Sequence, residues 1–214
     1  MKAIFLVIFA FLAPGVVADE VSVSEVKKIQ SELKSVPALE VQFTQTQYTA
    51  LRDKERPPVK GHAKFARPAK FRWAIESENP EEIIFDGELL QQYRPAEKTL
   101  LKHATNSKVA QEISELTRLV LNTEHLFEKY DLESAERDKQ VLSLKLKPKK
   151  SSDVTQVQLR VSTMKNRMYF KSVKILYQGG NWWAVEFKNP RTKPIEDAVF
   201  KFVPPADVKV TTIN

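Results

Sequence analysis

Apolar residues recur at every second position along most of this chain, and at helical spacing in only two stretches. The first helical stretch is "SVSEVKKIQSELKSV" (22–36), where Val26, Ile29, Leu33 and Val36 form one stripe. Ser22 followed by Glu25 matches a capping box, and Pro37 ends the segment. A run of alternating segments follows. "LEVQFTQTQYT" (39–49) puts Leu39, Val41 and Phe43 on one face. "HAKFARP" and "AKFRWAIES" put Phe65, Phe71, Trp73 and Ile75 on one parity, with Arg67 sharing it. "EEIIFDGELLQQYRP" (81–95) folds about Asp86-Gly87, a hairpin signal, and "KTLLKHA" reads as a further strand.

The period changes at "SKVAQEISELTRLVLNTEHLFEKYDLES" (107–134). Val109, Ile113, Leu116 and Val120 make a second stripe, and Asn122-Thr123 breaks it into two short helices. Alternation then resumes through Leu142, Leu144 and Leu146, through Val157, Leu159 and Val161, and through Val173, Ile175 and Tyr177. After Gly179-Gly180-Asn181 it continues with Trp183, Val185 and Phe187, and "AVFKFVPP" is read as the last strand. Alternation on one face is the mark of antiparallel strands with one wet side. These patterns predict a mainly β (α+β) chain: an incomplete, strongly curved antiparallel β-barrel, with about three helices forming a lid over a hydrophobic cavity. A solidly packed core satisfies the same alternation.

The 214 residues fit one domain with a sizeable core, and the composition (42% hydrophobic, 29% charged) is that of a globular protein. The absence of cysteine excludes disulfides, thiolate metal sites and a lipidated N-terminal cysteine. Residues 1–18 read as a cleavable signal peptide: Lys2, an apolar run at 3–13, then Pro14-Gly15 and a small residue, Ala18. The run is short for a spanning helix, which needs roughly 20 residues. Residues 19–214 are then one exported domain. Its formal charge is +6, the +7 of the whole chain less that of Lys2. The basic residues are spread along the chain, so they serve solubility as readily as docking to an acidic partner.

Catalytic signals are absent. His62, His103 and His125 lack metal-ligand spacing, five glycines are too few for a phosphate cradle, and no nucleophile motif occurs. The expectation is no enzyme, no metal and no cofactor. Phe65, Phe71 and Trp73 among basic residues could serve as a stacking platform for single-stranded nucleic acid. The export signal argues against that, and no nucleic-acid partner is expected. An apolar cavity in an exported protein is a candidate lipid site, since each buried methylene contributes about 0.8 kcal/mol.

Four stretches in this order resemble the LolA family of periplasmic lipoprotein carriers: "VQFTQTQ" (41–47), "GHAKFARPAKFRWAI" (61–75), "EEIIFDGELLQQYRP" (81–95) and "DAVFKFVPPADVKV" (197–210). The resemblance implies the same barrel-and-lid fold. It implies a soluble, monomeric carrier that accepts acylated lipoproteins from an inner-membrane ABC transporter complex and delivers them to an outer-membrane receptor of the LolB type. The missing cysteine favours the carrier over a LolB-like receptor. A regulatory binding module of the RseB type is the alternative. By the same resemblance, Arg67 lies inside the barrel and latches lid-helix backbone. Phe71 then falls at the cavity wall, and parity adds Trp73, Phe65 and Phe43. Val26, Ile29, Leu33, Ile113 and Leu116 are the expected lid undersides. The Pro-rich basic loop at 50–61 departs from the family pattern, the end at Asn214 leaves a further C-terminal strand in doubt, and "GGNWW" (179–183) has no assigned role.

Overall fold

The structure is a computed structural model, and it describes residues 19–105, 107, 110, 126–164 and 168–213. Within these, the strands are β1 (Asp19–Glu20), β2 (Ala38–Thr49), β3 (Lys54–Glu55), β4 (Val59–Ala66), β5 (Lys70–Glu76), β6 (Glu81–Phe85), β7 (Leu90–Arg94) and β8 (Thr99–His103). The second run is β9 (Tyr130–Asp138), β10 (Val141–Pro148), β11 (Val154–Ser162), β12 (Tyr169–Tyr177), β13 (Trp182–Arg191) and β14 (Lys209–Ile213). All belong to one sheet, ordered β1-β9-β10-β11-β12-β13-β2-β4-β5-β6-β7-β8-β14, with β3 paired to the end of β2. Every pairing is antiparallel except β14 with β8. The two ends of the order, β1 and β14, do not pair, so the sheet is curved and unclosed. Register shifts at Lys145/Leu146, Val154/Gln156, Arg160/Val161 and Lys188/Arg191 add the local twist that bends a long sheet.

Helix α1 (Val23–Lys34) starts as its capping signal predicts: Ser22 Oγ accepts from the Glu25 N–H at 3.2 Å. The Glu25 carboxylate turns instead to Arg137 on β9, at 2.5 Å. The stripe Val26, Ile29 and Leu33 is buried in the same core as Leu142, Leu144 and Leu146 of β10 and Val157, Leu159 and Val161 of β11.

Two expectations are corrected and one is met only in part. Among the described residues the helices given in full are α1 and the four-residue α2 (Leu126–Lys129), and Ala110 is helical as well, so a lid of three helices is not confirmed. The helical reading of 107–134 also runs too far, because Tyr130–Ser134 begin β9 and pair with β10. Ala135 is buried in the core and Leu132 packs against it. The rest of that stretch, with Ile113, Leu116 and the break at Asn122-Thr123, lies outside the described residues, as does the signal segment 1–18.

Finally, "AVFKFVPP" is no strand. Asp197–Phe200 is a short 3-10 turn lying across β5, and Pro204-Pro205 lack the N–H groups a ladder needs. Its Phe200 is buried against Ala38 and Ala66, which the register puts on the outer face. The chain then resumes as β14, where the β-branched run Val210-Thr211-Thr212-Ile213 pairs with β8.

Candidate functional site: an aromatic-walled pocket with a polar rim

The wall of the site is the odd-numbered face of β2, β4 and β5, continued onto β6 and β13. Register aligns Phe43 with Gly61 and Phe187, and Trp73 with Ala63 and Ile83. Phe43 and Trp73 stack at 3.9 Å between centroids. Phe65 meets Trp73 edge-on at 6.4 Å and Phe187 at 6.2 Å, and Phe71 lies against Phe85 at 5.9 Å. Such offset and edge-on pairs are the arrangements that ring quadrupoles favour. Gly61 makes the stack possible. A Cβ there would lie 1.9 Å from the Ala74 carbonyl oxygen and 2.6 Å from the Phe43 ring.

In front of this wall is a pocket of about 530 Å³. Its apolar lining is Phe65, Phe71, Trp73, Ile75 and Ile83 on one side and Ile175 and Trp183 on the other. Its rim is polar: Gln45, Gln47 and Thr49 of β2, Glu81 of β6, and Asn181. This size and makeup suit a ligand with a long apolar part and a few polar atoms.

Glu81 is the end of a hydrogen-bonded chain across β6, β7 and β8. Its Oε1 accepts from Gln92 Nε2 at 2.6 Å and from Arg94 Nε at 2.9 Å. Gln92 Oε1 lies 2.9 Å from His103 Nε2, so the network assigns the ring proton to Nε2. Burial, and then the positive charge of Arg94, hold the His103 pKa below the ordinary histidine value of 6.5, against an opposing pull from Glu81. Its Nδ1 is buried without a partner among the described residues, which suits a neutral ring. Arg94 is held charged above its usual range, mainly by its hydrogen bond to Glu81.

Of the residues singled out from the sequence, the pocket gathers Phe65, Phe71 and Trp73. Phe43 stands behind Trp73 in the wall. Val26, Ile29 and Leu33 lie in the same core but not at the pocket.

Arg67 is elsewhere, and by a different route than parity implied. Strand β4 ends at Ala66, and Arg67 belongs to the following turn, so it does not continue the apolar face. From that turn its guanidinium reaches the end of α1, with Nε donating to Val36 O at 3.0 Å and Nη2 to Leu33 O at 3.1 Å. Helix C-terminal carbonyls are natural partners for a cation. A residual space of only about 20 Å³ lies beside it.

Both tryptophans of "GGNWW" line the pocket, Trp183 opposite the aromatic wall and Trp182 stacked on Tyr48 at 5.9 Å under the Lys174 ammonium, 4.1 Å from the ring centroid. Sequence reading did not single out Gln45 and Gln47, although they continue the parity of Leu39, Val41 and Phe43 along β2. Among the described residues no cluster of His, Asp and Glu is placed to hold a metal ion, and no helix is long and apolar enough to cross a membrane.

An unclosed antiparallel sheet that holds a large apolar pocket behind a polar rim is the architecture of a binding or carrier protein. The chain matches the family described as outer membrane lipoprotein carrier protein LolA over residues 34–203, and it belongs to that family. It is 24% identical over 185 residues to an outer-membrane lipoprotein carrier protein of Francisella philomiragia, covering 84% of each chain. Two solved structures share its fold. One is an uncharacterized conserved protein from Thermus thermophilus, with a TM-score of 0.56 at 11% identity over 88% of this chain and 99% of that one. The other is a DUF1329 family protein from Desulfovibrio piger, with a TM-score of 0.51 at 10% identity over 83% of this chain and 95% of that one.

Proposed function

We propose that this protein is a soluble periplasmic carrier. It accepts acylated lipoproteins from an inner-membrane ABC transporter complex, shields their acyl chains in the pocket between β2, β5, β6 and β12–β13, and releases them to an outer-membrane receptor. Residues 1–18 direct export and are removed. The observation that carries the reading is the 530 Å³ pocket walled by Phe65, Phe71 and Trp73 in a member of this family. The carrier relative from Francisella philomiragia supports the same cargo.

The driving force needs no catalytic group. Each methylene moved from water into the pocket contributes about 0.8 kcal/mol, so one long chain outweighs the cost of immobilising it. Arg67 tempers this affinity. Its two hydrogen bonds tie the turn after β4 to the end of α1, and a helix that must shift to admit cargo has to surrender them. Part of the binding energy is then spent on opening, which suits a carrier that releases without nucleotide hydrolysis.

The test is a titration of the purified protein with a fluorescent fatty acid and with a diacylated lipoprotein. Binding on the order of micromolar, with slower release from Arg67→Leu, is the expected result. Failure of both ligands to bind at that concentration, with capture of a membrane protein's periplasmic tail instead, would replace the carrier with a regulatory binding module.

A further inference from the structure

Beside the apolar pocket lies a second depression of about 340 Å³, bounded by Arg56, Pro57, Ser77, Pro80 and Arg94. The two share Gln45, Gln47, Ile75 and Glu81 as a common wall, so they are one trough with a greasy end and a polar end. Resting on the carrier reading, we propose that the polar end is a recognition site for the linkage of the cargo. There it holds the ester and amide carbonyls that join the acyl chains to the glyceryl-cysteine head, and the first peptide units after it.

The argument is about which groups are uncommitted. Glu81 is satisfied by Gln92 and Arg94, and Arg94 by Glu81 and Glu97, so these four offer a ligand little. Ser77 and Asn79 satisfy each other across a tight turn. The side chains of Gln45 and Gln47 have no partner among the described residues, although both are half-buried on the inner face. The Arg56 guanidinium likewise has none. Its backbone N–H is fixed to Gln47 O at 2.8 Å, which holds it beside the two amides.

Two amides and a guanidinium together present nine N–H donors and two acceptor oxygens. That set is rich in donors and fits a ligand rich in carbonyl oxygens rather than a cation. Each glutamine sits where the apolar lining ends, and that is where the carbonyls of a lipid stand relative to its tails. Pro57 and Pro80 lack N–H groups and narrow the outer walls without adding donors of their own.

The experiment uses the tryptophans already at the pocket, Trp73, Trp182 and Trp183, as the fluorescence reporter. The purified protein and its Gln45→Ala/Gln47→Ala/Arg56→Ala variant are titrated with hexadecanol, with a synthetic triacylated lipopeptide, and with a diacyl phospholipid. The inference expects the variant to bind the lipopeptide about tenfold more weakly, the loss of one to two net hydrogen bonds. Hexadecanol should stay within about twofold, because its alkyl chain touches only the apolar end. Equal weakening of hexadecanol and lipopeptide, or no weakening of either, overturns the inference while leaving the carrier reading intact. Phospholipid weakened as much as lipopeptide overturns the assignment of the peptide part. If hexadecanol and lipopeptide both fail to bind the unaltered protein, the carrier reading itself is lost.

Discussion

Strand β2 runs through two different environments, and its two halves show how one sheet makes both a core and a site. Near α1 its inward residues are Leu39, Val41 and Phe43, all buried, and the space that Leu39 lines is only about 20 Å³. Two and four residues past Phe43, the inward positions are Gln45 and Gln47, half-exposed at the rim of a 530 Å³ pocket. The backbone and the partner strand are the same: Phe43 faces Phe187, Gln45 faces Val185 and Gln47 faces Trp183. What changes is the cover. At the closed end Val26, Ile29 and Leu33 of α1 belong to the core the sheet encloses, while at the open end large rings pack against one another and leave room in front of them. Rings that satisfy their neighbours edge-on make a stiff wall without needing a plug.

The largest test of that contrast is Leu142→Ala, at a fully buried position of the closed end. It should lower stability by about 2–5 kcal/mol in urea unfolding, and leave acyl affinity of the folded fraction unchanged. Gly61→Ala should come next, at about 1–3 kcal/mol, because the added Cβ collides first with the Ala74 carbonyl oxygen and then with the Phe43 ring, driving it off Trp73. Near-ultraviolet circular dichroism should register the lost stacking. Arg67→Leu leaves the Leu33 and Val36 carbonyls without a charged donor in a half-buried place, and should cost about 1–2 kcal/mol while slowing acyl release.

Acidification should act through His103. Its folded pKa lies below 6.5, so between that lowered value and about 6.5 the unfolded chain binds the proton and the folded chain does not. This contribution is complete above about pH 6.5 and fades as pH falls through the window. His103→Gln should flatten that part of the stability profile. The smallest effect is at the open end: Ile83→Ala should change stability least, yet weaken a bound acyl probe, the reverse of Leu142→Ala.

Much of this was legible in the chain. Period-two alternation located β2, β4, β5 and β10–β13, the Ser22 cap marked α1, and parity collected Phe43, Phe65, Phe71 and Trp73. Three things were not legible, for separable reasons. The pocket's far wall comes from Ile175 and Trp183, and a local period does not say that β13, about 140 residues later, pairs with β2. Arg67 was mistaken for a strand position because parity continues on paper past the point where β4 turns away. Phe200 sits against Ala38 and Ala66 on the outer face, with Ile195 and Val199 beside it, where a short apolar turn is a plug rather than a strand. The Glu81–Gln92–His103 chain joins three strands, and its members carry no shared spacing.

The central claim is that the acyl chain lies against the aromatic wall between β5–β6 and β12–β13. Photolysis of the purified protein with a diazirine-bearing palmitate, followed by peptide mapping, tests it most directly. The account predicts label on Phe71, Trp73, Ile83, Ile175 and Trp183. Label confined to the outer face around Ala38, Ala66 and Phe200, or the same pattern with and without excess unlabelled palmitate, would contradict it.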